Sequence, residues 1–191
     1  MQFKSATYDR LQYSVCTLFA NIRNMPVEEL EMRYPIRCER YELRTDPPAA
    51  GKWRGGIGLV VQHRFLTDGY ICNLSDRHYE GDPPWGFDGG HNGLPHQTLL
   101  NPGTDREQHI PSKVQALEAK TGDVLLNIGA MAGAYGNPLE RDPQQVLEDV
   151  LDEYINAEIA EGDYGVVIRP DPRRVDLEAT RALRENKQRG G

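Results

Sequence analysis

The alternation of apolar and polar positions dominates the first two thirds of the chain. Residues 36–44, Ile-Arg-Cys-Glu-Arg-Tyr-Glu-Leu-Arg, alternate with the period of a half-buried strand, and Asp46-Pro47-Pro48 stops them. A second apolar run, 59–66, follows a glycine-rich approach, Gly51 to Gly58. Thr67-Asp68-Gly69 reads as a hairpin turn from which 70–75 continues a meander. Further short strands are predicted at 96–100, 112–119 and 124–128, with Thr121-Gly122-Asp123 as a turn. Before them, residues 25–31 open like a short helix. Pro26 suits its first turn, and Glu28, Glu29 and Glu31 sit where the helix dipole favours acids.

The period changes at Arg141. Asp142 reads as an N-cap, Pro143 as a first helical residue, and Gln145 lies three after the cap. Val146, Leu147, Val150, Leu151, Tyr154 and Ile155 then fall on one helical face. Asn156 caps a second short helix ended by Gly162, 164–168 reads as a strand, and 176–189 as a charged helix or fraying tail. Residues 1–20 show no clean period. They read as an irregular lead-in, or as an edge strand complete only against another chain. The fold class expected is mainly β with C-terminal helices, an antiparallel β-sandwich or barrel-like domain followed by short α-helices. The expected divisions are 1–23 (lead-in and inter-subunit contact), 24–140 (β-rich), 141–168 (helical, ending in a short strand) and 169–191 (charged helix or tail).

Composition narrows the functional classes. The 191 residues include 19 Gly and 13 Pro, punctuation that suits many turns between short strands. Formal net charge is −7, the wrong sign for a nucleic-acid partner, and a mean hydropathy of −0.64 leaves no room for a membrane span. Cys16, Cys38 and Cys72 are odd in number and without CxxC spacing; they read as reduced thiols packed as small hydrophobes.

The candidate chemistry is sparse. Asp76, His78, Asp82, Asp88 and His91 form the nearest metal-like pattern, with Asp76 and His78 on one strand face, but they read better as polar strand-end and loop residues. Gly51 to Gly58, with Lys52 and Arg54, enters a strand where a phosphate loop would open a helix, so its glycines mark a bulge or a close backbone approach. Arg54 would then brace carboxylates, locally or across an interface. Ala130 to Gly136 is small and weakly polar: either a passage for a substrate or subunit, or a tight crossing into the last helix. The Gly/Pro/Asp-rich stretch 81–95, carrying Trp85 and Phe87, has the length of a binding or interface loop.

Several strings resemble the C-terminal part of the hydantoinase B / acetone carboxylase alpha family. They are Asn24-Met25-Pro26-Val27-Glu28 with Glu31; Glu39-Arg40-Tyr41-Glu42-Leu43 with Asp46; and Gly51-x-x-Arg54-Gly55-Gly56-x-Gly58. Lys113 with Gly122-Asp123, the run from Tyr135 to Pro143, Val146 with Asp149-Val150, and Tyr164-Gly165-Val166-Val167 continue the series in order. The resemblance implies a subunit that works with a hydantoinase A-like ATPase, in ATP-dependent carboxylation of ketones or ATP-dependent hydrolysis of cyclic amides. The string around Asn24-Met25-Pro26 and Glu31 to Pro35 looks closest to ketone carboxylases, so a small ketone is the first expected substrate and a cyclic amide the alternative. A non-catalytic assembly subunit is the third reading.

What the resemblance implies for the site is limited. Glu31 and Arg54 are its candidate catalytic residues, and Gly55, Gly56, Gly133, Tyr135 and Gly136 its candidate substrate or interface loop. The family's metal-ligating His and Asp lie in an N-terminal part absent here, so no metal ligand and no bound cofactor is expected on this chain. ATP and a divalent metal (Mn, Zn, Fe or Mg) are expected on partner subunits. The expectation is a split, cytoplasmic subunit, inactive alone, with a separate chain carrying the N-terminal half. Three departures from the family pattern stand out: Asp46-Pro47-Pro48-Ala49 for Asp-Ser-Gly-Gly, alanines in the run before Tyr135, and Glu153 where the last long helix usually ends in Gly.

Overall fold

The computed structural model describes residues 25–78 and 81–189. The expected lead-in of residues 1–23, with Cys16, lies outside the described residues. In chain order the elements are α1 (Val27–Arg33), β1 (Ile36–Leu43), β2 (Leu59–Phe65), β3 (Gly69–Leu74), β4 (Gln97–Leu100), β5 (Gln108–His109), β6 (Lys113–Ala119) and β7 (Val124–Ile128). A 3-10 turn (Pro138–Glu140), α2 (Pro143–Leu151), α3 (Ala157–Gly162), β8 (Ile168–Pro170), β9 (Arg173–Val175) and α4 (Leu177–Arg189) complete it.

The strands form a five-stranded antiparallel sheet, ordered β1-β2-β7-β4-β5, and a separate ribbon of β3 with β6. The ribbon's inward residues, Ile71 and Ala119, pack with Leu100, Phe65 and Leu125 of the larger sheet and with Ile110 just after β5. This is a layered β structure with short helices after it, and neither sheet closes into a barrel. No helix among the described residues is long and apolar enough to cross a membrane.

The expected β2–β3 hairpin does not form. β2 has both edges occupied, by β1 and by β7, so the chain leaves the sheet at Leu66 and β3 finds its partner in β6. Asp68 serves this crossing, accepting hydrogen bonds from the backbone N–H (2.8 Å) and hydroxyl (2.9 Å) of Thr121. Residues 76–78 bend away from β3, so Asp76 and His78 do not share a strand face. Cys72 is exposed on the ribbon and Cys38 half-buried, so neither is the core thiol expected. The strand expected at 164–168 is displaced. Tyr164 and Val166 fill the core, and the strand pairing begins at Ile168 in the β8–β9 hairpin.

The helical half follows its sequence signals closely. Asp142 caps α2 by accepting from the Gln144 N–H, and Asn156 caps α3 by accepting from the Ile159 N–H, each at 2.9 Å. Val146, Val150 and Ile155 build a second core with Ala50, Ala160, Tyr164 and Val166. Leu151, on the expected apolar face, is 50% exposed. The charged 177–189 segment is helical and tied down by Arg184, whose guanidinium donates to the carbonyls of Tyr164 (3.0 Å) and Arg141 (2.8 Å).

Candidate functional site

Three irregular segments, residues 49–56, 84–94 and 129–137, interlace between the large sheet and the helical half. They are held backbone to backbone. The Trp53 N–H donates to the Tyr135 carbonyl and the Tyr135 N–H returns the bond, both at 3.0 Å. Ala132 donates to Gly56 (3.0 Å), Ala134 to His91 (2.9 Å), His91 to Ala50 (2.8 Å) and Gly55 to Ala49 (2.9 Å). Chains this close leave no room for side chains. A Cβ on Gly55 would run into the Ala132 carbonyl, and one on Gly133 into that of Trp85. The candidate loop residues Gly55, Gly56, Gly133, Tyr135 and Gly136 are therefore brought together. The four glycines are buried, Gly55 and Gly133 against the chain's own backbone and Gly136 against the Lys52 side chain, and Tyr135 is half-buried.

Arg54 leaves this layer toward α2. Its Nε donates to Asp149 Oδ1 at 2.9 Å, while Arg141 Nη2 donates to Asp149 Oδ2 at 2.8 Å. One carboxylate thus holds two guanidiniums in a shielded place; the side chains of Arg141 and Asp149 are 1% and 6% exposed. The Arg54 guanidinium also lies 4.7 Å from the centre of the Tyr154 ring. Arg54 braces a carboxylate locally, one of the two arrangements its sequence context allows. Sequence reasoning did not single out Arg141 and Asp149 as its partners. The signal was present: an acid at position 149 falls between Val146 and Val150 on the buried face of α2, and a buried acid requires a basic partner.

Tyr154 and Glu153 also line an open cavity of about 550 Å3, with Thr45, Pro47, Ile168 and Arg173 among its other walls. Glu153 has φ of 63°. Its N–H bonds the Val150 carbonyl and the Tyr154 N–H bonds that of Asp149, so Glu153 occupies the left-handed position of a Schellman stop where glycine is the favoured residue.

Glu31 lies elsewhere, on α1 against β1. Its Oε1 accepts from the Cys38 N–H at 2.8 Å, and Cys38 faces His63 across the β1–β2 pairing. This trio is not an activated nucleophile. Burial, then the Glu31 charge, pushes the Cys38 thiol pKa up against the lowering effect of a backbone hydrogen bond at Arg40, and burial pushes the His63 pKa down against the Glu31 charge. His96 and His78 form a second pair, ring centres 5.4 Å apart, with His96 Nε2 3.0 Å from Thr98 Oγ1. Burial, with the His78 and Arg44 charges, pushes His96 down to about 4. Among the described residues no three His, Cys, Asp or Glu side chains converge as metal ligands would.

The chain matches the hydantoinase B/oxoprolinase family over residues 5–138, and it belongs to that family. It is 43% identical over 173 residues to the B component of a putative D-/L-hydantoinase from Pseudomonas sp. (strain NS671), covering 90% of this chain and 29% of that one. Its fold superposes on the ATP-dependent caprolactamase of Pseudomonas jessenii with a TM-score of 0.64 and 29% identity, over 84% of this chain and 28% of that one. A nucleotide-free acetone carboxylase shares the fold, with a TM-score of 0.61, 22% identity, and coverage of 87% of this chain and 26% of that one. The chain spans less than a third of the length of each.

Proposed function

We propose that this chain is part of a hydantoinase B-like subunit of an ATP-dependent cyclic-amide hydrolase. Its role is to complete that subunit and its interface with a hydantoinase A-like ATPase. The substrate class is a lactam or cyclic imide ring opened at an amide C–N bond with consumption of ATP. The observation that supports this most is the 43% identity over 90% of the chain to a putative hydantoinase component, a stronger likeness than the 22% to acetone carboxylase. The ketone-carboxylase expectation of the sequence is supported by fold alone. The caprolactamase likeness adds a second cyclic-amide relative.

In this reading the chain contributes rigidity rather than reacting groups. Arg54 is a positioning residue that fixes the glycine layer to α2 through Asp149. The test is ADP release by the chain assembled with an ATPase subunit and the rest of a hydantoinase B-like subunit. ADP release is expected with hydantoin, 5-oxoproline or caprolactam and without bicarbonate. ADP release that requires a ketone and bicarbonate overturns the reading in favour of the carboxylase.

A further inference from the structure

Trp85 and Phe87 are 56% and 59% exposed, on a loop whose backbone is hydrogen-bonded to the 129–137 segment. The Phe87 N–H donates to the Ala134 carbonyl, and the Phe87 carbonyl accepts from Gly136, each at 2.9 Å. Between the two rings, the Gly86 N–H donates to Asn92 Oδ1 at 2.8 Å. The Phe87 ring stacks on Tyr135 with centres 5.9 Å apart and an interplanar angle of 21°. The Arg77 guanidinium lies 4.1 Å over the Trp85 ring and pairs with Asp82. Two large aromatic rings are thus displayed in fixed positions. Docking them orders little that is not already ordered, which is how interface hot spots are built.

The ribbon offers the competing exposed surface, with Tyr70 69% and Leu74 84% exposed. There Tyr70 lies opposite Glu118 and Leu74 opposite Lys113, so charges interrupt the apolar face as on a solvated sheet. Only Gly86 separates Trp85 from Phe87, and the nearby charges lie to either side, the Arg77–Asp82 pair at the Trp85 ring and Asp88 after Phe87.

The occupant follows from the lengths. In the hydantoinase component, the caprolactamase and the acetone carboxylase this fold is 26–29% of a much longer chain, so most of that chain is available to cover its exposed surface. We propose that the Trp85–Phe87 face is the seat for that remaining portion of a hydantoinase B-like subunit. The proposal rests on the assembly role given above and names the surface that performs it.

The test is binding of the full chain to the part of the Pseudomonas NS671 protein that lies outside the matched region, measured by titration. Trp85→Ala with Phe87→Ala is expected to weaken binding about 100-fold or more. Tyr70→Ser with Leu74→Ser is expected to leave it within about three-fold. The single variants Trp85→Arg and Phe87→Arg, each placed on an exposed ring, repeat the loss should the double variant fold poorly. Unchanged binding in the Trp85 and Phe87 variants, or loss in the ribbon variant alone, overturns the proposal. No binding by the unsubstituted chain overturns both the docking face and the assembly role. Binding that needs Trp85 and Phe87, in a complex that hydrolyses no cyclic amide, leaves the face standing and overturns the reaction.

Discussion

The buried carboxylate of Asp149 ties the glycine-rich segments to the helical half. It accepts from Arg54 in the glycine layer and from Arg141 ahead of α2, and removing one member of a buried ion cluster leaves the others in low dielectric without compensation. Asp149→Asn is expected to destabilise the chain by about 3 kcal/mol or more, read as a lower midpoint in urea. A loss below about 0.5 kcal/mol would show that the cluster is well solvated. Glu153 makes the opposite case. A glutamate at φ 63° meets a steric cost that glycine escapes, so Glu153→Gly is expected to raise stability by about 1 kcal/mol, measured the same way. A loss of stability on that change would mean that the carboxylate at the cavity wall contributes more than the backbone strain costs.

At the scale of elements, the start of β4 is held by a neutral imidazole. His96 titrates at about 4 when folded and near 6.5 when unfolded. The unfolded chain therefore binds the additional proton between those values, and stability contributed by this group rises with pH across that window. It is complete above about pH 6.5 and is lost as pH falls toward 4, with a slope that cannot exceed about 1.4 kcal/mol per pH unit. Denaturant midpoints from pH 4 to 7 check this, and His96→Gln is expected to flatten the curve. An equally steep curve in that variant would place the dependence on another group. Elements with strong local signals are legible in the sequence: the Asp142 and Asn156 caps, the alternation in β1, the valine face of α2. The separation of β2 from β3 is not, because Thr67-Asp68-Gly69 has turn chemistry, while strand partnership is decided by which edges are already occupied. The two-residue β5 and the β8–β9 hairpin also escape a sequence reading. Each is too short to show a period, and Tyr164 and Val166 supply apolar residues to a core where a strand is expected.

For the whole molecule, the glycine layer explains why the resemblance is legible while the site is not. Gly55 stands in the family strings for a physical reason, since a Cβ there would run into the Ala132 carbonyl, and the Trp85 carbonyl holds Gly133 to glycine in the same way. Read as a sequence, Gly51 to Gly58 marks a bulge or a close backbone approach and Ala130 to Gly136 either a passage or a tight crossing; in the fold Gly55 and Gly133 each lie against the chain's own backbone. Glu31 and Arg54 lie on different elements with different partners, Cys38 and Asp149, and long-range pairings of this kind leave no local trace in sequence. The outward consequence of the layer is the rigid display of Trp85 and Phe87.

The central claim is that this chain completes a longer subunit of an ATP-dependent cyclic-amide hydrolase. The most direct measurement is hydantoin-dependent ADP release by a hydantoinase A-like ATPase with the remaining portion of a hydantoinase B-like subunit, with this chain added or omitted. The account expects hydantoin-dependent turnover only when the chain is present. Equal turnover in its absence, or none in its presence, would contradict it.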